Sequence, residues 1–310
     1  MPEFFDFEFP SSTGKNTLHG RKCLPDGEVK AVVQIAHGIA EHINRYDDFA
    51  AFLASNGYAV YGNDHLGHGQ SIKSPAEQGV FCDKDGWNTV VKDMVKLHDI
   101  ASAENPGKPY VMFGHSMGSF LTRTFIIDYP DKFDAVILSG TGHQGKALIT
   151  GGNLIAKLLI KLNGYASDGQ KLNDIAFGSY LDKIENAKTP FDWLSANEEN
   201  VRKYIADPLC GFVCKTGLYG DMMQGIKYIT DTANIAKMNT GKPVYFMSGK
   251  DDPVGDYGKG VEKAYECFKK AGCRDVMIRL YENGRHEMLN ESNKEKVYQD
   301  ILNWLSEKVG

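Results

Sequence analysis

Along most of this chain, short apolar runs alternate with longer segments whose apolar residues recur at helical spacing, and few folds accept that alternation. The runs at 31–36, 58–63, 110–113, 135–139, 244–248 and 276–281 are too short to be helices, and each gives way within two residues to Gly, Asp, Asn or His. A strand that is apolar on both faces must be covered on both. The pattern therefore predicts an α/β protein, a mainly parallel sheet with helices on either side. Residues 4–9 differ, because phenylalanines alternate there with Asp6 and Glu8, as in an edge strand with one wet face. Ile43, Tyr46, Phe49, Ala50 and Leu53 form one helical stripe, with Gly57 following as a C-cap. Trp87, Val90, Val91, Met94, Val95 and His98 form a second, halted by Asn105-Pro106-Gly107, and Val297, Ile301, Trp304 and Leu305 mark the last. On such a stripe His98 reads as a packed structural residue.

The alternation lapses between Gly142 and Met238, where helical patterns continue without a convincing strand. This divides the chain into a core in two parts, 1–141 and 239–310, and an inserted helical cap, 142–238. With 310 residues, 42% of them hydrophobic, the chain can bury a full core without cross-links. Its net charge of −5 comes from interspersed acids and bases, which gives no basic footprint for nucleic acid and no polybasic patch for an anionic membrane. The first residues, Met1-Pro2-Glu3-Phe4-Phe5-Asp6, lack the features of a signal peptide. No apolar run approaches the ~20 residues of a membrane-spanning helix. Six scattered cysteines with no Cys-x-x-Cys pair read as reduced thiols, so the expectation is a cytoplasmic protein.

The strongest local signal is Gly114-His115-Ser116-Met117-Gly118, directly after a strand run and before a helical one. Such a Gly-x-Ser-x-Gly elbow turns the backbone sharply and presents the serine hydroxyl above the strand end. The helix that begins there aims its free N–H groups at developing negative charge. A serine hydroxyl needs a base to take its proton. In this arrangement the chain order is serine, acid, histidine, and only His143 and His286 follow Ser116. No acid-bearing strand separates His143 from Ser116, whereas His286 stands in the loop after the last strand run. His286 is the base by elimination and by placement. The acid belongs at a strand end between the two, and the run at 244–248 leads into Gly249-Lys250-Asp251-Asp252-Pro253-Val254. Adjacent aspartates cannot both face one imidazole, and residue chemistry alone leaves Asp251 and Asp252 both open.

These motifs resemble the monoglyceride lipase and lysophospholipase branch of the α/β hydrolases, which also includes enzymes described as serine aminopeptidases of the S33 type. The resemblance rests on His37-Gly38-Ile39-Ala40-Glu41-His42, on Asn63-Asp64-His65-Leu66-Gly67-His68-Gly69-Gln70-Ser71, on the serine elbow, and on the loops at 249–254 and at His286. It implies the α/β-hydrolase fold, with a mainly parallel eight-stranded sheet and an inserted helical cap. It also implies Asp252, the residue before the Pro-Val pair, as the acid, and an oxyanion hole built from the backbone N–H groups of Ile39 and Met117. The implied reaction is hydrolysis of a small-molecule acyl ester, such as a monoacylglycerol or lysophospholipid, with no cofactor. In such proteins His37, His42, His65 and His68 mostly shape the loops around the site.

Competing readings are weighed on the same residues. An aminopeptidase or amidase would use the same triad and would need a cap carboxylate for the substrate amine, with Asp192, Glu198, Glu199 and Asp207 as acidic candidates. A catalytically dead binding protein would leave an intact Ser, Asp and His set without use. Metal readings fail on ligand count. His37 and the Glu41-His42 pair miss H-x-x-E-H spacing by one residue, His65 and His68 lack an evident third ligand, and His286-Glu287 lacks a second histidine. No metal is expected. In the cap, Leu154, Ile155, Leu158, Leu159 and Leu162 share a helical face, with Lys157 and Lys161 placed to snorkel at its border. Amphipathicity alone permits a helix packed on its own domain. The resemblance implies a lid that shelters an acyl chain and touches lipid interfaces, with Leu154, Leu158 and Leu159 as substrate contacts.

Overall fold

The structure, a computed structural model, describes residues 2–310. Its centre is one sheet of β1 (Glu3–Pro10), β2 (Thr17–Leu24), β3 (Ala31–Ala36), β4 (Tyr58–Asn63), β5 (Tyr110–His115), β6 (Ala135–Ser139), β7 (Val244–Gly249) and β8 (Val276–Tyr281). The strand order is β1-β2-β4-β3-β5-β6-β7-β8. From β4 to β8 every pairing is parallel, while β2 joins β1 and β4 antiparallel. Strands β3 to β7 are buried along their whole length, which is why their sequences are apolar on both faces.

Strand β2 carried no readable pattern, because its run Thr17-Leu18-His19-Gly20-Arg21-Lys22-Cys23-Leu24 mixes charge with apolar residues. Tertiary partners supply what the local sequence hides. Arg21 forks onto Asp47 at 2.7–2.8 Å, Lys22 reaches Glu104 at 2.6 Å, and Gly20 leaves room for the Phe7 ring.

The helices are α1 (Asp47–Ser55), α2 (Gly86–Glu104), α3 (Met117–Asp128), α4 (Lys146–Asn163), α5 (Gln170–Phe177), α6 (Glu198–Ala206), α7 (Thr216–Ile229), α8 (Thr232–Ile235), α9 (Lys259–Lys270) and α10 (Lys294–Val309). One face of the sheet is covered by α1 and α10, whose Phe49, Leu53, Ile301 and Trp304 pack with Val33, Phe113 and Tyr245. The other face carries α2, α3 and α9. Ile43 and Tyr46 of the first stripe fall in a short 3₁₀ turn that leads into α1. Asn56 caps that helix, and Gly57 follows it at a φ of 94°. His98 is buried with its ring 4.3 Å from that of Tyr110.

Between β6 and β7 the chain is helical, with α4 to α8 and a lone bridge from Asp168 to Lys215. This segment does not form a body of its own throughout. Leu218, Met222, Ile226 and Ile229 of α7 belong to the same apolar core as α2 and α3, and Ile235 of α8 joins it. A smaller cluster, with Trp193, Leu194, Tyr204 and Val254 at its centre, lies beside the strand ends. Among the described residues no helix is long and apolar enough to cross a membrane.

Candidate active site

Strand β5 ends at His115 and α3 begins at Met117, so Ser116 alone makes the turn, at a φ of 54° and ψ of −123°. A non-glycine residue in that region is strained and persists only where its surroundings over-determine it. Here the Ser116 N–H donates to the Ser139 carbonyl at 3.0 Å, and its own carbonyl accepts from the Ser119 hydroxyl at 2.6 Å. A β-carbon on Gly114 would strike the Gly118 carbonyl and Thr122, and one on Gly118 would strike the Ala36 carbonyl of β3. Both glycines are therefore dictated by close backbone approach. Ser116 is only 8% exposed.

His286 follows β8 and is buried, and its Nδ1 lies 3.0 and 3.1 Å from the two carboxylate oxygens of Asp252. Asp252 is wholly buried; its Oδ2 accepts from the Ser248 hydroxyl at 2.7 Å and its Oδ1 from the Val254 N–H at 2.9 Å. Asp251 points to solvent and contributes its N–H to the Gly284 carbonyl. Of the two adjacent aspartates, Asp252 is thus the one brought to the imidazole. Burial alone would raise the Asp252 pKa, but His286 and the hydrogen bonds outweigh it, and the carboxyl stays below its ordinary value. Burial pulls His286 down, yet Asp252, with Glu287 and Glu41 beyond it, more than reverses this and raises its pKa. The neighbouring His115 ring, 4.6 Å away, is pushed down to about 4 by burial and by His286, so it is neutral near pH 7.

Two cavities meet at Ser116. The smaller, about 290 Å³, also touches Ile39, Glu41, His286 and Glu287 and is walled by Phe177, Phe191, Trp193, Tyr204 and Phe212. The larger, about 860 Å³, runs past Ile39, Met117 and Phe120 beneath α4 to Ile149, Ile155, Met222, Met223, Ile226 and Val254. Ile39 borders both, and Met117 opens α3 beside the serine. Leu154, Leu158 and Leu159 line neither cavity; α4 turns Leu148, Ile149, Gly151, Gly152 and Ile155 to the larger one instead. The helix is apolar on more than one side, so spacing could not select the buried face. Gly152 and Ala156 let α4 approach α7 closely at Met223 and Gly220. That contact leaves Leu154 70% and Leu158 54% exposed, with Leu159 half-buried.

The remaining sequence candidates fall elsewhere. His143 borders the larger cavity but lies 3.7 Å from the Cys267 sulfur rather than on Asp252. His37, His65 and His68 are fully buried, the rings of His65 and His68 lying tilted against that of His37 with centroids 4.2 and 5.3 Å away. They shape the loop beneath the site. His42 Nε2 bonds Asp207 at 2.8 Å, with Cys210 close enough to complete a trio of metal-ligating types, and the bond accounts for both partners. Asp192 takes the Thr189 hydroxyl, while Glu198 and Glu199 pair with Lys188 and Lys203; with Asp207 on His42, none of the four acids lines a cavity at Ser116. Sequence reasoning missed Arg45, which bridges Glu41 and Glu287, and Trp193, whose ring lies 5.2 Å from that of His286. The one trace of the bridge was an acid and a base four residues apart.

This fold and this site define a serine hydrolase on the α/β-hydrolase scaffold. The model of the serine aminopeptidase S33 family matches residues 27–293, and the chain belongs to that family. The monoglyceride lipase homolog of Monkeypox virus is 28% identical over 283 residues, which is 90% of this chain and 91% of that one. Monoglyceride lipase of Mus musculus is 26% identical over 296 residues, 94% of this chain and 88% of that one. Among solved structures, a highly thermostable carboxyl esterase from Bacillus coagulans in complex with glycerol superposes with a TM-score of 0.92 at 28% identity, covering 99% of each chain.

Proposed function

We propose that this protein hydrolyses carboxylic esters, with Ser116 as nucleophile, His286 as general base and acid, and Asp252 orienting the imidazole. His286 takes the Ser116 proton as the hydroxyl attacks the ester carbonyl. The resulting oxyanion is met by the N–H groups of Ile39 and Met117. His286 returns the proton to the leaving alcohol, and a water activated by the same imidazole releases the acid. Asp252 holds the ring in one tautomer and stabilises its cationic form.

The observation that carries this reading is the pair of cavities diverging from Ser116. The larger is bordered mainly by apolar side chains and suits an acyl chain. The smaller adds the polar edges of Glu41, Asn173, Asp174 and Glu287 to its aromatic walls and suits a small hydroxylated alcohol. Monoacylglycerols fit that division, as the names of the monoglyceride lipase relatives suggest, and lysophospholipids share the same acyl-and-polyol layout. Asp192, Glu198, Glu199 and Asp207 are engaged away from both cavities; of the acids between 142 and 238, Asp174 borders the smaller one, where Gln170 Nε2 donates to it at 2.6 Å. In this reading residues 142–238 act as the cap, and the outward leucines of α4 rest on a lipid surface. The unpaired state of all six cysteines is in keeping with a cytoplasmic setting.

The test is a series of p-nitrophenyl esters of increasing chain length beside aminoacyl amides. Each buried methylene stabilises by about 0.8 kcal/mol, so kcat/KM should rise about fourfold per added CH₂ until the cavity is full. A preference for acetyl esters, or faster cleavage of the amides, would overturn the proposed substrate class.

A further inference from the structure

The loop that carries Ile39 is bound to the histidine loop and to the cap through one buried guanidinium. Arg45 Nη1 donates to Glu41 Oε2 and Glu287 Oε1, both at 2.6 Å, and its Nη2 donates to Glu287 Oε2 at 2.7 Å. The other oxygen of Glu41 accepts from the Gly38 N–H at 2.5 Å and from the Tyr46 hydroxyl at 2.8 Å. Glu287 directly follows His286 and also accepts from the Asn200 amide of α6 at 2.6 Å. From the same helix the Tyr204 ring covers the guanidinium at 4.8 Å, and the Tyr204 hydroxyl donates to the Ala40 carbonyl at 2.9 Å. The Gly211 N–H donates to that carbonyl as well, at 2.9 Å.

Ala40 needs these partners, because its φ of 53° lies where an L residue is strained. Glu41 and Glu287 are all but buried, and ions so placed are poor evidence of a gain in stability. What the network does is geometric. Gly38 and Ala40 flank Ile39, and each is pinned by a group that leads back to Arg45 or to α6.

We propose that Arg45 is a positioning residue for ester hydrolysis. Through Glu41 it holds the loop so that the Ile39 N–H meets the oxyanion, and through Glu287 and α6 it makes that geometry depend on the histidine loop and the cap. The proposal rests on the assignment of Ser116 and His286 given above. Lysine keeps the charge but not the planar fork, so it can restore only part of the effect.

The experiment compares Arg45→Met, Arg45→Lys and Tyr204→Phe on soluble p-nitrophenyl butyrate, with intact sites counted by fluorophosphonate labelling taken to completion. An alkyl trifluoromethyl ketone serves as the probe of the oxyanion, since its adduct with serine carries one. Per intact site, Arg45→Met should lose about 100-fold in kcat while KM moves less than about threefold, and the ketone should bind about 100-fold more weakly. Arg45→Lys should lie between it and wild type, and Tyr204→Phe should lose about fivefold to tenfold on both measures. A merely structural role would lower the number of intact sites and leave both per-site measures unchanged. That result in Arg45→Lys and Tyr204→Phe, which decide the matter if Arg45→Met does not fold, would overturn the proposal. Ser116→Ala is run beside them. If it keeps turnover, the serine assignment itself falls; if it loses turnover while the Arg45 series matches wild type, only the present inference does.

Discussion

The floor of the site and the helix above it treat apolar side chains in opposite ways. In α3, every residue from Met117 to Ile127 is buried, and the glycines of the elbow exist because backbones touch there. In α4, Leu154, Leu158 and Leu162, which line neither cavity, are each more than half exposed. Burying such a side chain is worth about 1.5–3 kcal/mol, so a fold that leaves three of them out on one helix face forgoes a gain that it takes throughout α3. The floor is explained by its own packing. The outer face of α4 is not, and this supports the proposed contact with lipid.

The comparison can be broken first on the floor. Asp252→Asn should lower kcat by about 10⁴, since asparagine cannot hold the imidazole in the working tautomer, whereas the exposed Asp251→Asn should change it by less than about twofold. Equal effects from the two would remove the proposed acid. Next come paired glycine substitutions, read as denaturant midpoints. Gly118→Ala forces a β-carbon into the Ala36 carbonyl and should cost about 1–3 kcal/mol or more. A β-carbon on Gly151 of α4 meets nothing, so Gly151→Ala should stabilise by about 0.5–1 kcal/mol. Similar losses at both sites would mean that α4 packs more tightly than its exposed face indicates.

The two sides of α4 are distinguished by their substrates. Leu154→Asp and Leu158→Asp should leave turnover of soluble p-nitrophenyl butyrate within about twofold of wild type, yet slow hydrolysis of monoacylglycerol presented in lipid vesicles about tenfold, since they remove apolar anchoring. Equal loss on both substrates would contradict an interfacial face. The smallest effect concerns pH. The base must be neutral, and Asp252 holds the His286 proton to higher pH than an ordinary imidazole would, so the acid limb of kcat/KM should have its midpoint above 6.5. Asp252→Asn removes that attraction, so the residual activity should show a midpoint shifted downward.

Legibility in the sequence follows the same divide. Strands buried on both faces, such as β3, β5 and β7, announce themselves because apolar residues dominate them, and the buried Gln34 of β3 is accommodated by the Met94 carbonyl and the Tyr110 hydroxyl. Chemistry and chain order led to Ser116 and His286 as the proposed nucleophile and base, and only the resemblance chose Asp252 over Asp251, the aspartate that the structure places on His286 being Asp252. Strand β2 was hidden because Arg21 and Lys22 are neutralised by Asp47 and Glu104, partners 26 and 82 residues away. The face of α4 was misjudged for another physical reason. Its leucines make the more apolar stripe, but Gly152 and Ala156 permit the closer approach, and close approach decided which side is covered. The Arg45 bridge joins positions 41, 45, 200 and 287, a set that only the folded chain brings together.

Ser116 is proposed as the one activated hydroxyl of this protein. Treatment with a fluorophosphonate, followed by proteolysis and mass spectrometry, tests it most directly. A single phosphonyl adduct is expected, on Ser116, forming in step with the loss of ester hydrolysis, with no labelling of a folded Ser116→Ala variant. An adduct on another residue, or hydrolysis that persists after Ser116 is fully labelled, would contradict it.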